Sequence, residues 1–583
     1  MIDIISATTP GHAQFSPPAG PGESPGKAVP GSVCDQKIAI AHGRAVLRKT
    51  MGSAEVRTGA GEAPQALVFA AYLVLGALAL SPLLWAAVPP LVDYPAYLAR
   101  MALLAAPGSS QNYLVHWQLI PNLAMDLVVP PLAALLGVET AGRLFIASIL
   151  ALLVAATALL HRVLHGRVGL WPLASLLFLY NKVLYYGFLN YLFALGVALL
   201  CFALWIASRN RPVLARLILF SALASLIFIL HLFAFGVYGL LIGSYEAGLL
   251  LQPGRPLSRA AVGRFLVSVL QFVPAIGLWL ANASAESVHY TAYGDIFDKL
   301  LALLAPMNFG GIGSMLAPLA AILAVLAWWS GALKLAPAMR WPILASLAVA
   351  ASMPNWLYGS WAADLRLPVA LPFIVIASTT PQVSRRWVIS LAAATGIFLL
   401  SLRVFAVTVV WHAMDQRFTE FRNALHDLPL GARLLVAQTP MPEEQRRLDG
   451  IPPAVATLDA AAFRHIGELA TLDRDAFIPI FGTQLSVVGP APRNAGRYPK
   501  QGVPLRLNQL VAGAAGESLT DPDHPEPPIE LPGEMPYWVG WPHKFEYLLM
   551  LDFGDRRPIL PELLQPMARG SFFTLYKITP PDS

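Results

Sequence analysis

The sequence predicts an all-α polytopic membrane protein, with a small α/β or α+β domain following the last span. Three observations point there. Of 583 residues, 56% are hydrophobic and 13% charged, about half the charged fraction usual in soluble proteins. Apolar stretches of roughly 18 to 22 residues succeed one another, each long enough to cross a bilayer. Lys and Arg sort by loop, as they do when alternate loops face the cytoplasm.

Residues 1–60 are rich in Pro, Gly, Ser and Ala and lack periodicity, so they read as disordered. They contain no apolar core of the signal-peptide kind. Met51 lies shortly before the first span and offers an alternative start. The transmembrane part runs over 61–411. Its expected spans are 66–87, 131–160, 168–182, 187–207, 213–231, 232–251, 263–282, 312–333, 341–358, 367–382 and 387–410, about eleven in all. The third is short. Between the first two spans, Tyr94 to Leu104 carries apolar residues at helical spacing and one charge, Arg100, which predicts an amphipathic helix lying along the membrane surface.

Arg162 and Arg167, then Arg209, Arg211 and Arg216, then Arg255, Arg259 and Arg264, then Lys334 and Arg340, then Arg385 and Arg386 fall on one side if the spans alternate. That side reads as cytoplasmic, together with the N-terminus. The opposite loops hold Asp93, Asp126, Glu286, Asp295, Asp298 and Asp364. The tail, 412–583, then falls outside, and 21 of the 34 acidic residues lie beyond residue 411. It has β-prone runs such as 432–437 and 572–576, and helical spacing from Ala454 to Leu472. The reading is a bacterial inner membrane protein with a periplasmic C-terminal domain.

Several functions lose support. The net charge of +6 follows from loop sorting and does not indicate nucleic acid. Cys34 and Cys201 form no disulfide framework, and no Cys/His spacing suggests zinc. Walker A, GxSxG, HExxH and dinucleotide-binding patterns are missing, so no nucleotide motif is present.

Asp93 leads the candidates. It stands in Val88-Pro89-Pro90-Leu91-Val92-Asp93-Tyr94-Pro95, just past the first apolar run. An ionisable group at a membrane boundary is costly to desolvate, which favours a functional role. As chemistry it would act as general base or orient an acceptor hydroxyl. As structure it would cap the helix that starts at Tyr94 or Pro95.

A first span, an acid soon after it and a surface helix resemble the GT-C superfamily of integral-membrane glycosyltransferases. The local carrier is Pro90-Leu91-Val92-Asp93-Tyr94-Pro95-Ala96-Tyr97-Leu98-Ala99-Arg100. It departs from the commoner pair of adjacent acids, because Tyr94 follows Asp93. The resemblance implies a polyprenyl-phosphate-linked sugar as donor, transfer with inversion, and an envelope glycan, lipid or protein as acceptor. It also implies a second acid, for which Asp126 is the candidate, and an arginine near a late span for the donor phosphate, for which Arg366 is the candidate. As structure, Asp126 would favour a helix N-terminus, and Arg366 would pair with Asp364 or snorkel.

Lys182 and Arg100 are further candidates for the donor phosphate. Tyr94, Asn181, Asn190, His289 and Asp364 are candidates for the substrate pocket. The loop 283–311, with Glu286, His289, Tyr290, Tyr293, Asp295 and Asp298, reads as an acceptor-binding flap or a solvated loop. Carboxylates in this number would suit Mg²⁺ or Mn²⁺, but no spacing specifies a metal site. The rival functions are a glycolipid transporter or flippase, and a non-catalytic protein of envelope assembly.

Overall fold

The structure is a computed structural model. It describes residues 64–251, 258–282, 291–309, 330–440, 459–479, 487–494, 504–518, 536–553 and 560–579. The helices of the first half are α1 (Gln65–Leu80), α2 (Tyr94–Ala105), α3 (Ala124–Leu136), α4 (Val138–His165), α5 (Lys182–Tyr186), α6 (Leu189–Ala207), α7 (Val213–Leu230) and α8 (Leu232–Leu250). There follow α9 (Arg259–Leu270), α10 (Val273–Asn282), α11 (Ile296–Leu303), α12 (Arg340–Ser352), α13 (Ala363–Ser378) and α14 (Arg386–Ala424).

Among the described residues, seven helical segments are long and apolar enough to cross a membrane: 65–84, 138–165, 189–207, 213–230, 232–250, 259–281 and 386–427. The expected span 131–160 is instead divided. Gly137 has φ +79°, so α3 ends and α4 begins there in a backbone that glycine adopts freely. The expected span 168–182 contains an eight-residue 3₁₀ helix, Trp171–Phe178. Trp171 Nε1 donates to Ile376 O at 3.0 Å, near the end of α13, and the Tyr191 hydroxyl donates to Arg366 O at 2.6 Å, near its start. At about 2.0 Å per residue these eight residues reach about half the thickness of a bilayer core. Spans 341–358 and 367–382 correspond to α12 and α13, of 13 and 16 residues. Span 312–333 lies, except for its last residues, outside those described.

The basic residues do gather at one end. Strand β2 (Leu333–Leu335) pairs antiparallel with β3 (Thr379–Pro381), which sets Lys334 opposite Thr380 and close to Arg385. His161 Nδ1 meets Ala377 O at 3.2 Å at that same end. Asp93, Asp364 and Arg366 occupy the other.

In the tail, β4 (Leu434–Gln438), β6 (Leu505–Arg506), β7 (Tyr547–Leu551), β8 (Leu564–Arg569) and β9 (Phe573–Ile578) form a mixed sheet in the order β6-β4-β7-β9-β8. β4 runs parallel to β6 and β7, whereas β9 runs antiparallel to β7 and β8. Strand β4 is buried along its whole length, as its apolar run Leu434-Leu435-Val436-Ala437 requires. The expected helix from Ala454 to Leu472 is broken where described, into α15 (Asp459–Ala462), a 3₁₀ turn at Ile466–Glu468 and α16 (Leu469–Arg474). α17 (Leu507–Ala514) completes the helices.

The tail docks on the bundle by several routes. β1 (Tyr113–Val115) in the first loop pairs antiparallel with β5 (Val488–Pro490). α14 spans 39 residues, about 58 Å, and continues past the expected end of its span at 410 into the tail. The helix of the first loop, α2, does not lie on a lipid surface. Its Tyr94, Leu98, Ala99, Met101, Leu103 and Leu104 are buried, with α3 and α4 on one side and the 466–474 segment of the tail on the other.

Candidate functional site

Asp93 is set by its backbone. Val92 N donates to Tyr185 O at 3.0 Å and Asp93 N to Tyr186 O at 3.1 Å. The chain then turns at Gly187, with φ +85°. A Cβ on Gly187 would meet Asp93 N at 3.1 Å and Asp93 Cβ at 3.2 Å, so a bare glycine permits the approach. Asp93 immediately precedes α2, yet its side chain makes no capping hydrogen bond. The carboxylate is not occupied in ending a helix, and it faces the tail.

His465 Nε2 stands 3.7 Å from Asp93 Oδ1. The other ring nitrogen, Nδ1, lies 2.8 Å from Glu468 Oε1. Glu468 is fully buried, and its second oxygen, Oε2, has no hydrogen-bond partner. The result is a row: carboxylate, imidazole, buried carboxylate. Burial pushes the Asp93 carboxyl above its ordinary range, opposed by His465, Arg464 and Arg366 and reinforced by Glu468. Burial disfavours a charged His465, but Glu468 and Asp93 outweigh it and raise the imidazole above its ordinary value.

Arg366 is held rigidly. One terminal nitrogen donates to Trp361 O at 3.2 Å and the other to Ser360 Oγ at 3.1 Å. Its guanidinium carbon lies 4.2 Å from the Phe233 ring centre and 4.9 Å from that of Phe188. Nε is buried and without a partner. Ala362, at φ +55°, turns the chain into α13 just ahead of it. Arg366 and Arg464 each lie within electrostatic reach of Asp93. The Tyr97 hydroxyl, one turn into α2, feels Asp93, Arg100, Asp126 and Arg366. Arg464 also has a buried Nε with no partner.

The other candidates have partners of their own. Arg100 Nε donates to Asp126 Oδ1 at 2.7 Å, inside the protein. Asp364 meets Lys299 at 3.7 Å and Asn355 at 3.4 Å. Asn181 caps α5 by accepting from Leu184 N at 2.9 Å, and its amide donates to Phe178 O and Leu179 O. Asn190 accepts from Met125 N and donates to Asn122, so it fixes the start of α3. Both side-chain amides spend their donors on protein acceptors, and each Oδ1 accepts a backbone N–H. Tyr94 is fully buried against Gly142, where a Cβ would clash with its hydroxyl. The Lys182 ammonium lies 4.8 Å from the Tyr186 ring centre and 5.2 Å from that of Tyr185, beside the backbone clamp on Asp93. His289 lies outside the described residues.

Asp93, Arg366 and Tyr97 therefore converge, with Arg100 and Asp126 behind them. Sequence reasoning missed Arg464, His465, Glu468 and Lys299. The available signal was a histidine with a glutamate three residues on, in a stretch of helical spacing. Among the described residues, no three His, Cys, Asp or Glu side chains gather to hold a metal ion. Each carboxylate discussed already faces a protein cation: Asp93 faces His465, Asp126 Arg100 and Asp364 Lys299. An open hollow of about 610 Å³ on the tail, lined by Arg433, Glu546 and Lys577, includes none of these residues.

No family model matches the chain, and no curated protein matches it. Among solved structures, ArnT from Cupriavidus metallidurans bound to undecaprenyl phosphate is similar at 13% identity and a TM-score of 0.44, over 88% of this chain and 97% of that one. A likeness that loose assigns neither family nor activity to this chain.

Proposed function

We propose that the chain is an integral-membrane glycosyltransferase, GT-C-like in plan, that moves a sugar from a polyprenyl-phosphate donor to an acceptor hydroxyl. The observation that carries this reading is that Asp93 and Arg366 lie within electrostatic reach of each other. A carboxylate released from capping and partly desolvated shares one end of a helical bundle with a buried guanidinium whose Nε has no partner among the described residues. Asp93 removes the proton of the acceptor hydroxyl. The hydroxyl oxygen attacks the anomeric carbon as the carbon–oxygen bond to the phosphate breaks, so the configuration inverts. Polyprenyl phosphate leaves with the electron pair, and Arg366 offsets its charge.

The sidedness follows from charge. The basic loops gather at the end away from Asp93, which supports a cytoplasmic assignment for that end and a periplasmic one for Asp93 and the tail of an inner membrane protein. A donor carried in the lipid suits that face, and the acceptor is an envelope glycan, lipid or protein. The test is Asp93→Asn. Purified mutant protein should fail to transfer labelled sugar from a polyprenyl-phosphate donor, and wild-type turnover by that mutant would remove Asp93 from the chemistry.

A further inference from the structure

We infer that His465, delivered by the tail and held by Glu468, is a positioning residue whose positive charge keeps Asp93 ionised for proton removal. The inference rests on the proposed function and deepens it, because it assigns a role in the same site to residues of the tail. Its basis is geometric. The imidazole bridges two carboxylates, 2.8 Å from Glu468 and 3.7 Å from Asp93. The Glu468 side chain is wholly inside the protein, and among the described residues His465 is its hydrogen-bond partner while its other oxygen has none. A buried carboxylate is costly unless a cation accompanies it. Glu468 therefore selects the imidazolium, and the imidazolium turns its second nitrogen to Asp93.

The groups that face Asp93 come from three elements. His465, Arg464 and Glu468 come from the tail, Arg366 from α13, and Tyr97 from α2. Arg100 and Asp126 lie beyond Tyr97 and neutralise each other. The other cations that act on Asp93 are the guanidinium groups of Arg366 and Arg464. Among the described residues, His465 is the imidazole that faces Asp93, and imidazole is the side chain whose charge ordinarily changes within the range of working pH. The raised titration of His465 agrees with this arrangement. Without the imidazolium, the burial that already lifts the Asp93 carboxyl would meet less opposition, and the base would be protonated over a wider range of pH.

The test is the acid limb of the kcat/KM profile for sugar transfer. In His465→Gln the limb should move to higher pH by about one unit or more, the effect expected of losing an opposite charge a few ångströms away. In His465→Lys, which restores a positive charge, the limb should return towards its wild-type position. An unmoved limb in His465→Gln, or equal movement in both variants, overturns the inference. Asp93→Asn separates the two ideas: an inactive Asp93→Asn with an unmoved His465→Gln limb sinks only the role of His465, whereas an active Asp93→Asn sinks the proposed function. Should the His465 variants fail to fold, the coupling is read from the other side. Titration of ¹³C-labelled histidines in Asp93→Asn should show one of the twelve moving to lower pH, and twelve unchanged titrations would overturn the inference.

Discussion

Asp93 and Arg366 oppose each other through different physics. Burial raises the carboxyl of Asp93, so general base activity requires a pH above that raised value. The acid limb of the pH–rate profile should accordingly lie above the ordinary carboxylate range, and rate should fall as pH falls through it. A limb near pH 4, the value of an unperturbed carboxyl, would show that another group is the base. Arg366 acts through shape as well as charge. Its fork is fixed by Ser360, Trp361 and two phenylalanine rings, and lysine cannot reproduce two parallel donors. Arg366→Lys should raise KM for the lipid donor roughly tenfold, a cost of about 1.4 kcal/mol, measured in steady-state assays with defined donor. His465 also bears on stability. Its folded-state titration is raised, so its contribution is complete below the unfolded value and is lost as pH rises through the folded one. Thermal unfolding should show wild-type protein losing stability above neutral pH more steeply than His465→Gln. That Asp93 and Arg366 stand at the ends of apolar segments was readable in the sequence, where such charges are rare and costly. His465 and Glu468 were not, because they lie some 370 residues from Asp93 along the chain and only tertiary docking brings them near.

At the scale of elements, the clamp from Tyr185 to Gly187 decides where Asp93 points. Gly187 both adopts a positive φ and leaves room for Asp93. Gly187→Ala should cost about 1–3 kcal/mol from backbone strain alone and should lower turnover through displacement of Asp93. A variant with wild-type melting temperature and turnover would show that the clamp is slack. The pair Arg100–Asp126 fastens α2 to α3. Arg100→Ala should destabilise by about 3–5 kcal/mol, because it strands a buried carboxylate, with differential scanning calorimetry as the check. The range of α2 was readable almost to the residue, 94–104 expected and Tyr94–Ala105 found. Its surroundings were not. An amphipathic pattern records an apolar face, and a lipid surface and a protein domain satisfy it equally. The 3₁₀ segment at 171–178 escaped for another reason. Hydropathy registers apolar residues and does not separate an α-helix from a 3₁₀ helix.

For the whole molecule, the bundle and tail are joined by polar hubs as well as by β1 and β5. Asn112 is fully buried. It accepts from Arg493 at 2.7 Å and Asn494 at 2.9 Å, and its own amide donates to Gly431 O at 3.3 Å. Arg422, on α14, binds both Asp473 of the tail and Glu139 at the start of α4, each at 2.7 Å. Asn112→Ala leaves several donors without acceptors, at about 1–3 kcal/mol. It should expose the tail to limited proteolysis while the membrane helices stay protected. Unchanged proteolysis would show that strand pairing alone holds the tail. The polytopic architecture was readable from composition. The mixed sheet and its docking were not, since strand order depends on contacts between distant segments.

The position of β9 in the sheet sets an order of events during synthesis. It is an interior strand, between β7 and β8, although it is the last of the five along the chain. The sheet that presents His465 cannot close until residue 578 has left the ribosome. A nascent polypeptide already threaded into the bilayer therefore carries Asp93 in an unfinished setting, and the proposed base gains His465 and Glu468 as neighbours only when translation has passed the tail.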